Sequence, residues 1–227
     1  NQIILFNDSG LKKIYVVGGY QIHLLEEEID SIRSKIKAEI IVIENTNFST
    51  SNMVYSLYLA SRYIDESMLV SYADLHYSLI EIENIMKKDS TVCVTVDYNW
   101  RSYWKFRYGS IEYDLEVLKI NSNSQITEIG KETKNPEMMD ARFVGLIKFS
   151  EKIAPILKEL FEYKDNISTK KKWGVSGKDL KNAYMTDFIS FCLGKNIKIK
   201  TVPVIEKWFE FDIESDFELN QKYFNIS

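Results

Sequence analysis

The fold class is decided by the stretch KKIYVVGGYQIHLLEEEIDSIRSKIKAEIIVI, which spans residues 12–43. It opens with an apolar, β-branched run that stops at Gly18 and Gly19, and it closes with a second such run at residues 39–43. β-Branched residues favour strands, and the residues between the two runs place apolar side chains at helical spacing. A strand, a helix and a strand at this distance form a βαβ unit with parallel strands and a right-handed crossover. The stretch therefore predicts an α/β fold.

The same alternation continues on the C-terminal side of this stretch. Such alternation builds an open sheet with helices on both faces, so we expect a Rossmann-like mixed, mostly parallel sheet in a single domain over residues 1–227. Between residues 97 and 150 the pattern is rich in strands without intervening helices, and residues 164–177 are expected to form a loop. The predicted helices are 20–37, 51–64, 79–87, 150–163 and 178–193, and the predicted strands are 12–19, 39–43, 68–72, 91–96, 116–121, 125–130, 140–149, 197–204 and 207–212.

On the N-terminal side, an apolar run at residues 3–6 is followed by Asp8, Ser9 and Gly10. This order is typical of the end of a helix that is capped by glycine. The chain therefore opens inside a structural element. We expect the natural protein to continue upstream of Asn1.

The composition excludes several classes of protein. The 227 residues include 29 basic and 33 acidic side chains, and the formal charge of −4 offers no field for gathering nucleic acid. No apolar run approaches the roughly 20 residues that span a bilayer. Cys93 and Cys192 lie in apolar contexts, so we expect buried thiols in a cytoplasmic protein. Neither a P-loop, nor a G-x-S-x-G string, nor a zinc-ligand spacing occurs.

Two groups of acidic residues stand out. Asp74 follows the predicted strand 68–72, and open α/β sheets bind ligands outside the carboxyl ends of their strands. A carboxylate there suits a hard divalent cation, although an Asx turn or a helix N-cap would explain it equally well. In the second group, alternation along residues 207–212 places Trp208, Glu210 and Asp212 on one face of a strand. A solvent-facing strand would show the same pattern.

The polar run at residues 45–52 lies between a predicted strand and a predicted helix. Its short polar side chains and the free amides at the start of the helix suit a base edge or a phosphate. An ordinary loop that ends in an N-cap has the same composition, so both readings stay open.

Residues 97–107 interleave aromatic and basic side chains. Rings and cations in this arrangement suit three kinds of ligand. They could stack on a flat group, cage a quaternary ammonium or place arginine on a phosphate. Single-stranded nucleic acid also fits such a segment, but the acidic net charge and the predicted sheet argue against it.

Taken in order, seven segments resemble the nucleotidyltransferase family that activates sugar phosphates and small phosphorylated alcohols. The resemblance is closest to its cytidylyltransferase branch, which handles phosphocholine, phosphonates and phosphorylated amino acids such as phosphoglutamine. It covers nearly the whole chain, through the segments 10–20, 47–57, 71–74, 126–131, 143–146, 183–187 and 208–212.

The resemblance implies a Mg²⁺-dependent enzyme in which Asp74 and Asp212 are the catalytic metal ligands. An oxygen of the acceptor attacks the α-phosphorus of the nucleotide in line, and pyrophosphate leaves. The resemblance assigns nucleotide binding to Asn47, Thr50, Ser51, Asn52, Ser56 and Ala73. It assigns acceptor binding to Asp97, Trp100, Arg101, Trp104, Lys105, Arg107, Tyr184, Trp208 and Glu210.

The chain departs from the family pattern in two places. The glycine-rich phosphate loop, with its downstream arginine and Pro-Lys pair, is absent, so the expected single domain lacks its first strand and that loop. Many relatives carry Asp-Lys where this chain has Asp97 and Tyr98, so neutralisation of the acceptor phosphate would fall to Arg101, Lys105 or Arg107.

The predicted function is therefore the joining of CTP to a small phosphorylated or phosphonate acceptor, for the decoration of surface polysaccharide or lipid. The expected partners are these two substrates and a second copy of the chain, with neither nucleic acid nor membrane. Two alternatives stay open. One is a catalytically silent nucleotide-binding or scaffold protein of the same fold, and the other is a sugar-1-phosphate nucleotidyltransferase that uses UTP.

Overall fold

A computed structural model describes residues 1–63, 66–162 and 172–224. Most of the predicted loop 164–177 lies outside these residues. The helices are α1 (Gln2–Asp8), α2 (Ile22–Ile32), α3 (Met53–Ser61), α4 (Leu79–Met86), α5 (Trp100–Tyr108), α6 (Ala154–Glu162), α7 (Met185–Gly194) and α8 (Asp216–Phe224). The strands are β1 (Lys13–Gly18), β2 (Glu39–Glu44), β3 (Met68–Ser71), β4 (Leu75–His76), β5 (Val92–Asp97), β6 (Glu116–Ile120), β7 (Ile126–Glu132), β8 (Arg142–Phe149), β9 (Ile199–Pro203) and β10 (Phe209–Glu210).

The predicted βαβ unit is confirmed. β1 and β2 pair in parallel, with Lys13 opposite Glu39 and Gly18 opposite Glu44, and α2 connects them. Ile29 of α2 packs with apolar side chains of both strands and is 1% exposed. Burial of this shared apolar face stabilises the unit.

A four-stranded sheet lies beside this unit, with the order β3-β8-β5-β9. β5 and β9 pair in parallel, whereas β8 runs antiparallel to both β3 and β5. The mixed α/β fold is thus confirmed, but the described strands pair in parallel less often than the pattern indicates, because β8 is inserted between β3 and β5. None of the helices in the described residues is long and apolar enough to cross a membrane.

Helix α1 links the two sheets. At its start, the side-chain amide of Gln2 donates to the carbonyls of Tyr72 and Leu75 at 2.8 and 2.7 Å, at the end of β3. On its other side, Ile3 and Phe6 pack against the apolar cluster of β1 and β2. In the described part of the chain, β1 is hydrogen-bonded to β2 alone and β3 to β8 alone. Continuation of the natural protein upstream of Asn1 stays a prediction.

The core lies on both faces of β5, every residue of which is buried. Val92, Val94 and Val96 point into one apolar cluster, and Cys93 points into the other. Cys93 and Cys192 are buried free thiols, as predicted. An all-buried strand of this kind requires cover on both faces, and α4, α5 and α7 contribute to it.

Two predicted elements are shorter than expected, because the helix predicted at 178–193 begins at Met185 and the strand predicted at 207–212 is confined to Phe209–Glu210. The prediction for residues 97–150 is wrong. Residues 97–150 were expected to hold no helix, but α5 occupies Trp100–Tyr108. The buried residues of α5 are Trp100, Tyr103, Trp104 and Arg107, which follow the i, i+3, i+4, i+7 spacing of an amphipathic helix. Gly109 ends the helix with a φ of 71°, a conformation that glycine adopts without the strain of a side chain.

Candidate active site

Three carboxylates meet beside β4 and β10. One oxygen each from Asp74, Glu210 and Asp212 lies within 4.8 Å of the other two. The antiparallel pairing of Glu210 with Leu75 brings the two chain segments together, and the amide of Phe211 donates to the carbonyl of Asp74 at 2.9 Å. The structure thus brings together Asp74 and Asp212, the predicted metal ligands, and adds Glu210, which was predicted to contact the acceptor.

The environment of this carboxylate cluster suits a divalent cation. Oδ1 of Asp74 is buried and has no hydrogen-bond partner among the described residues. Burial raises the pKa of Asp74, and the charge of Asp212 raises it further. Burial also raises the pKa of Glu210 to about 7, although Arg142 and Arg107 oppose the shift. Carboxylate oxygens are the ligands that Mg²⁺ takes, so these residues fit the metal that the resemblance implies.

Arg107 has a different environment from the one predicted. It was one of three residues, with Arg101 and Lys105, expected to neutralise an acceptor phosphate, but its side chain is 1% exposed. It donates to Glu210 at 3.2 Å, to Asp212 at 2.7 Å and to Asp216 at 2.7 Å. All these partners are carboxylates. The guanidinium is therefore occupied by ion pairs and is not available to bind an incoming phosphate.

Asp216 is a member of this network that sequence reasoning missed. Burial opposes its ionisation, but hydrogen bonds from Arg107 and from the amides of Asp212 and Ile213 hold the pKa of Asp216 below its usual range. Its position at the start of α8, where acidic residues are common, gave no signal beyond that of a helix terminus.

A cavity of about 280 Å³ opens at the carboxyl ends of β1 and β2. Three of the predicted nucleotide-binding residues, Ser51, Asn52 and Ser56, line it. Asn47 and Thr50 lie in the loop beside it, and Ala73 is exposed next to Asp74. The lining residues are Val17, Gly18, Gly19, Asn45, Phe48, Ser51, Asn52, Met53 and Ser56.

The amides at the start of α3 are not free, contrary to the prediction. The amide of Asn52 donates to the carbonyl of Lys181 at 3.0 Å, and that of Val54 donates to the carbonyl of Ala183 at 3.3 Å. The amide of Met53 donates to the side chain of Asn52 at 2.8 Å. Since these donors already have partners, the start of α3 offers side chains rather than backbone amides to the cavity.

Lys181 is a second residue that sequence reasoning missed. Its ammonium donates to Oδ1 of Asn47 at 3.1 Å and to the hydroxyl of Thr50 at 3.3 Å. It therefore fixes two of the predicted nucleotide-binding side chains. The segment 183–187 was part of the resemblance, but the lysine just before it carried no pattern of its own.

Gly19, directly after β1, is required by close packing. A Cβ on Gly19 would lie 2.7 Å from the carbonyl oxygen of Asn45 and would also meet the side chain of Phe48. Any larger residue would displace the loop that forms one wall of the cavity. The sequence indicated only that the first strand ends at Gly18 and Gly19. The structure shows that Gly19 also leaves room for one wall of this cavity.

The tryptophans predicted to line an acceptor pocket belong to the core. Trp100 and Trp104 are fully buried, and Trp208 is 2% exposed. The indole of Trp208 donates to Asp97 at 3.0 Å, and that of Trp104 donates to the carbonyl of Tyr113 at 2.7 Å. The rings are buried, and arginines already lie over those of Trp100 and Trp104, so they cannot form a cage for a ligand.

The other predicted acceptor residues are less buried. Arg101 donates to Glu137 and to the carbonyl of Pro136, at 3.2 and 3.1 Å. Lys105 is exposed on α5, and the ring of Tyr184 lies 4.8 Å from the ammonium of Lys178. None of these contacts joins the side chains to the carboxylate cluster.

Arg142 and Glu116 lie beside the cluster and were not predicted. Arg142 bonds Asp114 at 2.8 Å, and its guanidinium lies 3.5 Å from the ring centre of Trp104. Burial raises the pKa of Glu116 to about 7, and the charge of Arg142 lowers the pKa of both Glu116 and Glu210. Arg142 is therefore a cation whose charge acts on both of these partly buried acids. Its neighbour Phe143 opens one of the segments that carry the resemblance, which is the signal that could have found it.

Comparison with known proteins agrees with this geometry. Residues 2–107 match a family described as a domain of unknown function, DUF6564. The chain is 26% identical over 224 residues to the CTP:phosphoglutamine cytidylyltransferase of Campylobacter jejuni subsp. jejuni serotype O:2, across 96% of this chain and 84% of that protein.

Two solved structures share the fold. The inositol-1-phosphate CTP transferase of T. maritima superposes with a TM-score of 0.67 at 15% identity, covering 97% of this chain and 80% of that one. The CTP:phosphocholine cytidylyltransferase of Streptococcus pneumoniae gives a TM-score of 0.63 at 16% identity, covering 98% and 83%. The resemblance seen in the sequence is thereby confirmed: the chain is similar to nucleotidyltransferases of the cytidylyltransferase branch, and it is a nucleotidyltransferase enzyme.

Proposed function

We propose that the protein is a Mg²⁺-dependent cytidylyltransferase that joins CTP to a small phosphorylated or phosphonate acceptor and releases pyrophosphate. The observation that carries this proposal is the meeting of Asp74, Glu210 and Asp212 within 4.8 Å, with a buried Asp74 oxygen that has no partner among the described residues. A buried carboxylate oxygen without a partner is costly. A bound divalent cation would supply the missing interaction.

The choice of CTP is supported by the relatives. The curated relative and both solved structures reported above carry CTP or cytidylyltransferase in their names. The cavity at β1 and β2 offers neutral hydrogen-bonding groups from Ser51, Asn52 and Ser56. Neutral donors and acceptors suit the edge of an uncharged base, and we assign this cavity to the cytosine.

In the proposed mechanism the protein positions its substrates and stabilises charge. Asp74 and Asp212 would hold the cation, which neutralises charge on the reacting phosphates when it is bound. An acceptor phosphate or phosphonate oxygen is already a competent nucleophile, so no side chain needs to remove a proton. The protein contributes in-line orientation and fixed charges that need no reorganisation during the reaction.

The acceptor that we propose carries both signs of charge beyond its phosphate. A cage for a quaternary ammonium needs exposed ring faces, and the tryptophans that could supply them are buried. Arg142 instead lies near Glu116. The guanidinium could pair with a carboxylate of the acceptor, and Glu116 could pair with an amino group. A phosphorylated amino acid has both groups, and the curated relative is named for phosphoglutamine. We therefore favour such an acceptor over phosphocholine.

The setting of the reaction is part of the same proposal. CTP is a cytoplasmic metabolite, and we propose that the enzyme acts there, as a homodimer without nucleic acid or membrane partners. Its product would serve the decoration of a surface polysaccharide or lipid, such as a capsule.

The test is a ligand screen followed by kinetics on the full-length protein. Thermal stability is measured with CTP or UTP in the presence of Mg²⁺, where a ligand at 100 times its Kd adds about 2.7 kcal/mol. Pyrophosphate release is then measured with phosphocholine, 2-hydroxyethylphosphonate and phosphorylated amino acids. We expect CTP with a phosphorylated amino acid to give the highest kcat/KM.

Three results would contradict parts of the proposal. A preference for UTP with sugar 1-phosphates would replace the cytidylyltransferase by the sugar-nucleotide alternative. Stabilisation by CTP without turnover of any acceptor would favour the silent binding protein. Phosphocholine as the best acceptor would remove the argument from Arg142 and its neighbouring acids.

A further inference from the structure

A buried ion pair lies directly behind the carboxylate cluster. Arg107 comes from α5 and Asp216 is the first residue of α8, and both side chains are 1% exposed. The guanidinium grips the carboxylate with two bonds, Nε to Oδ1 at 3.3 Å and Nη2 to Oδ2 at 2.7 Å. Such a fork fixes direction as well as distance.

Asp216 also fixes the backbone that carries Asp212. Its Oδ2 accepts hydrogen bonds from the amides of Asp212 at 2.7 Å and of Ile213 at 3.0 Å. The carboxylate therefore closes the turn between β10 and α8. Because its own charge is met by Arg107, the turn is held without leaving a buried charge unpaired.

Arg107 uses its remaining donors on two members of the cluster. Nη2 donates to Oδ2 of Asp212 at 2.7 Å, and Nη1 donates to Oε2 of Glu210 at 3.2 Å. One oxygen of each carboxylate is thus oriented by the guanidinium. Among the described residues no donor is bonded to Oδ1 of Asp212 or to Oε1 of Glu210, and Oδ1 of Asp74 is likewise without a partner.

We propose that Arg107 and Asp216 are positioning residues, which hold one oxygen of Asp212 and of Glu210 so that the other is presented to the metal beside Asp74. This inference rests on the proposed function. Three like charges within 4.8 Å repel one another, and without a cation behind them they would separate. A lysine at position 107 would keep the charge. Its ammonium lacks the planar set of donors with which the guanidinium orients two carboxylates at once.

Two simpler roles give different expectations. If the pair only ties α5 to α8, its loss lowers stability and leaves the metal affinity of the folded protein unchanged. If Arg107 only competes with the metal for carboxylate oxygens, weakening its contacts tightens metal binding. A positioning role predicts weaker binding, and outer partners of metal ligands typically change affinity by about 10–100-fold.

The experiment is a Mn²⁺ titration of the full-length protein, with free Mn²⁺ followed by electron paramagnetic resonance. It is carried out with and without an α,β-methylene analogue of CTP, so that metal binding is read without turnover. The variants are Asp216→Asn, which keeps the shape of the side chain, and Arg107→Lys, which keeps its charge. Circular dichroism and thermal unfolding report the folded fraction of each.

The matched control is Asp140→Asn. Asp140 also accepts from a cation and from a backbone amide, Lys119 at 2.9 Å and Ile120 at 2.8 Å, but no bond joins it to the carboxylate cluster. We expect the Kd for Mn²⁺ to rise at least tenfold in both test variants and to stay within twofold in the control.

The outcomes separate this inference from the proposed function. If the wild-type protein binds no Mn²⁺ under either condition, the metal site itself is wrong, and the inference falls with it. If the wild type binds and either folded variant has the same or a tighter Kd, the metal site stands and the positioning role is overturned. Should Asp216→Asn not fold, Arg107→Lys decides on its own.

Discussion

The carboxylate cluster consists of charged side chains, whereas the cavity at β1 and β2 is lined by neutral residues. The cluster consists of Asp74, Glu210 and Asp212, held by the buried charges of Arg107 and Asp216. The cavity has no ionisable side chain among the described residues that line it. Amide, hydroxyl and backbone hydrogen bonds hold its walls, and the ammonium of Lys181 is bonded to the loop beside it. The cluster can therefore interact with charged groups, and the cavity can recognise a ligand by its shape and its neutral polar groups.

This difference divides the expected work of the enzyme. Charge placed in a poorly solvated site acts strongly on the charged transition state of phosphoryl transfer. Neutral hydrogen bonds act differently. A base that does not match the site leaves buried polar groups without partners, and this cost in binding free energy favours the correct base. Damage to the cluster should lower kcat, and damage to the cavity should raise KM for CTP.

The largest effect is expected from the metal ligands. Asp212→Asn or Asp74→Asn removes a charge that the transition state needs, while the shape of the side chain is kept. We expect pyrophosphate release to fall at least a hundredfold, in line with the loss of about 2.7–4 kcal/mol for one strong electrostatic contact. If Asp212→Asn retains near-normal turnover, the metal assignment is wrong and the two regions do not differ as described.

A smaller effect is expected from Asn45, a buried residue of the cavity wall. Its side chain donates to the hydroxyl of Ser51 at 3.1 Å and accepts from the amide of Asn47 at 3.0 Å. Asn45→Ala leaves the amide of Asn47 without this acceptor and removes the bond that the hydroxyl of Ser51 accepts, at a cost of about 1–3 kcal/mol. We expect KM for CTP to rise about tenfold in steady-state kinetics, with kcat and the Kd for Mn²⁺ within twofold of wild type.

The control for this variant is Asn84→Ala, which removes a single side-chain bond to the carbonyl of Pro203 on another face of the protein. It should leave KM unchanged. A large fall in kcat for Asn45→Ala would show that the cavity and the cluster are not separate in function.

The fold was predictable wherever neighbours in sequence decide the structure. Residues 12–43 carry two β-branched runs and a helical spacing, and the βαβ unit follows from them locally. Helix α5 was missed although its buried positions follow helical spacing, because its aromatic and basic residues were read as ligand groups before their period was tested. The antiparallel position of β8 depends on strands more than forty residues away, and no local pattern encodes it.

The site was predictable only through the resemblance, which pointed to Asp74 and Asp212. The roles of the surrounding charges were not, since they depend on which charges meet in space. Arg107 lies 109 residues from Asp216 in the chain, and nothing near either residue indicates the other. In a sequence, an arginine beside aromatic residues shows the same pattern whether it binds a phosphate or pairs with a buried carboxylate.

Lys181 tests how the cavity is kept in shape. Lys181→Met keeps the length of the side chain but removes its bonds to Asn47 and Thr50. Because the lysine is partly solvated, we expect a rise in KM for CTP of only about threefold, in the range of one exposed polar contact. Lys195→Met, which removes an exposed pair with Glu159, is the control. A tenfold fall in kcat would instead place Lys181 with the charged region.

The smallest effect is expected in the pH dependence of stability, to which the acids of the charged region contribute. Burial raises the pKa of Glu116 from 4.5 to about 7, opposed by Arg142. The folded protein then holds a proton that the unfolded chain has released, so the free energy of unfolding falls as pH rises from about 4.5 through about 7. The pKa values of Glu210, Asp74, Asp97 and Glu81 are shifted the same way, so Glu116→Gln should remove only part of this slope. Urea unfolding in EDTA between pH 5 and pH 8 measures this slope. The control is Glu128→Gln, which changes an exposed acid on the same hairpin.

An unchanged slope in Glu116→Gln would mean that Glu116 is solvated in the folded protein. The charged region would then end at the carboxylate cluster and its ion pair, and Glu116 would lose its proposed part in binding the acceptor.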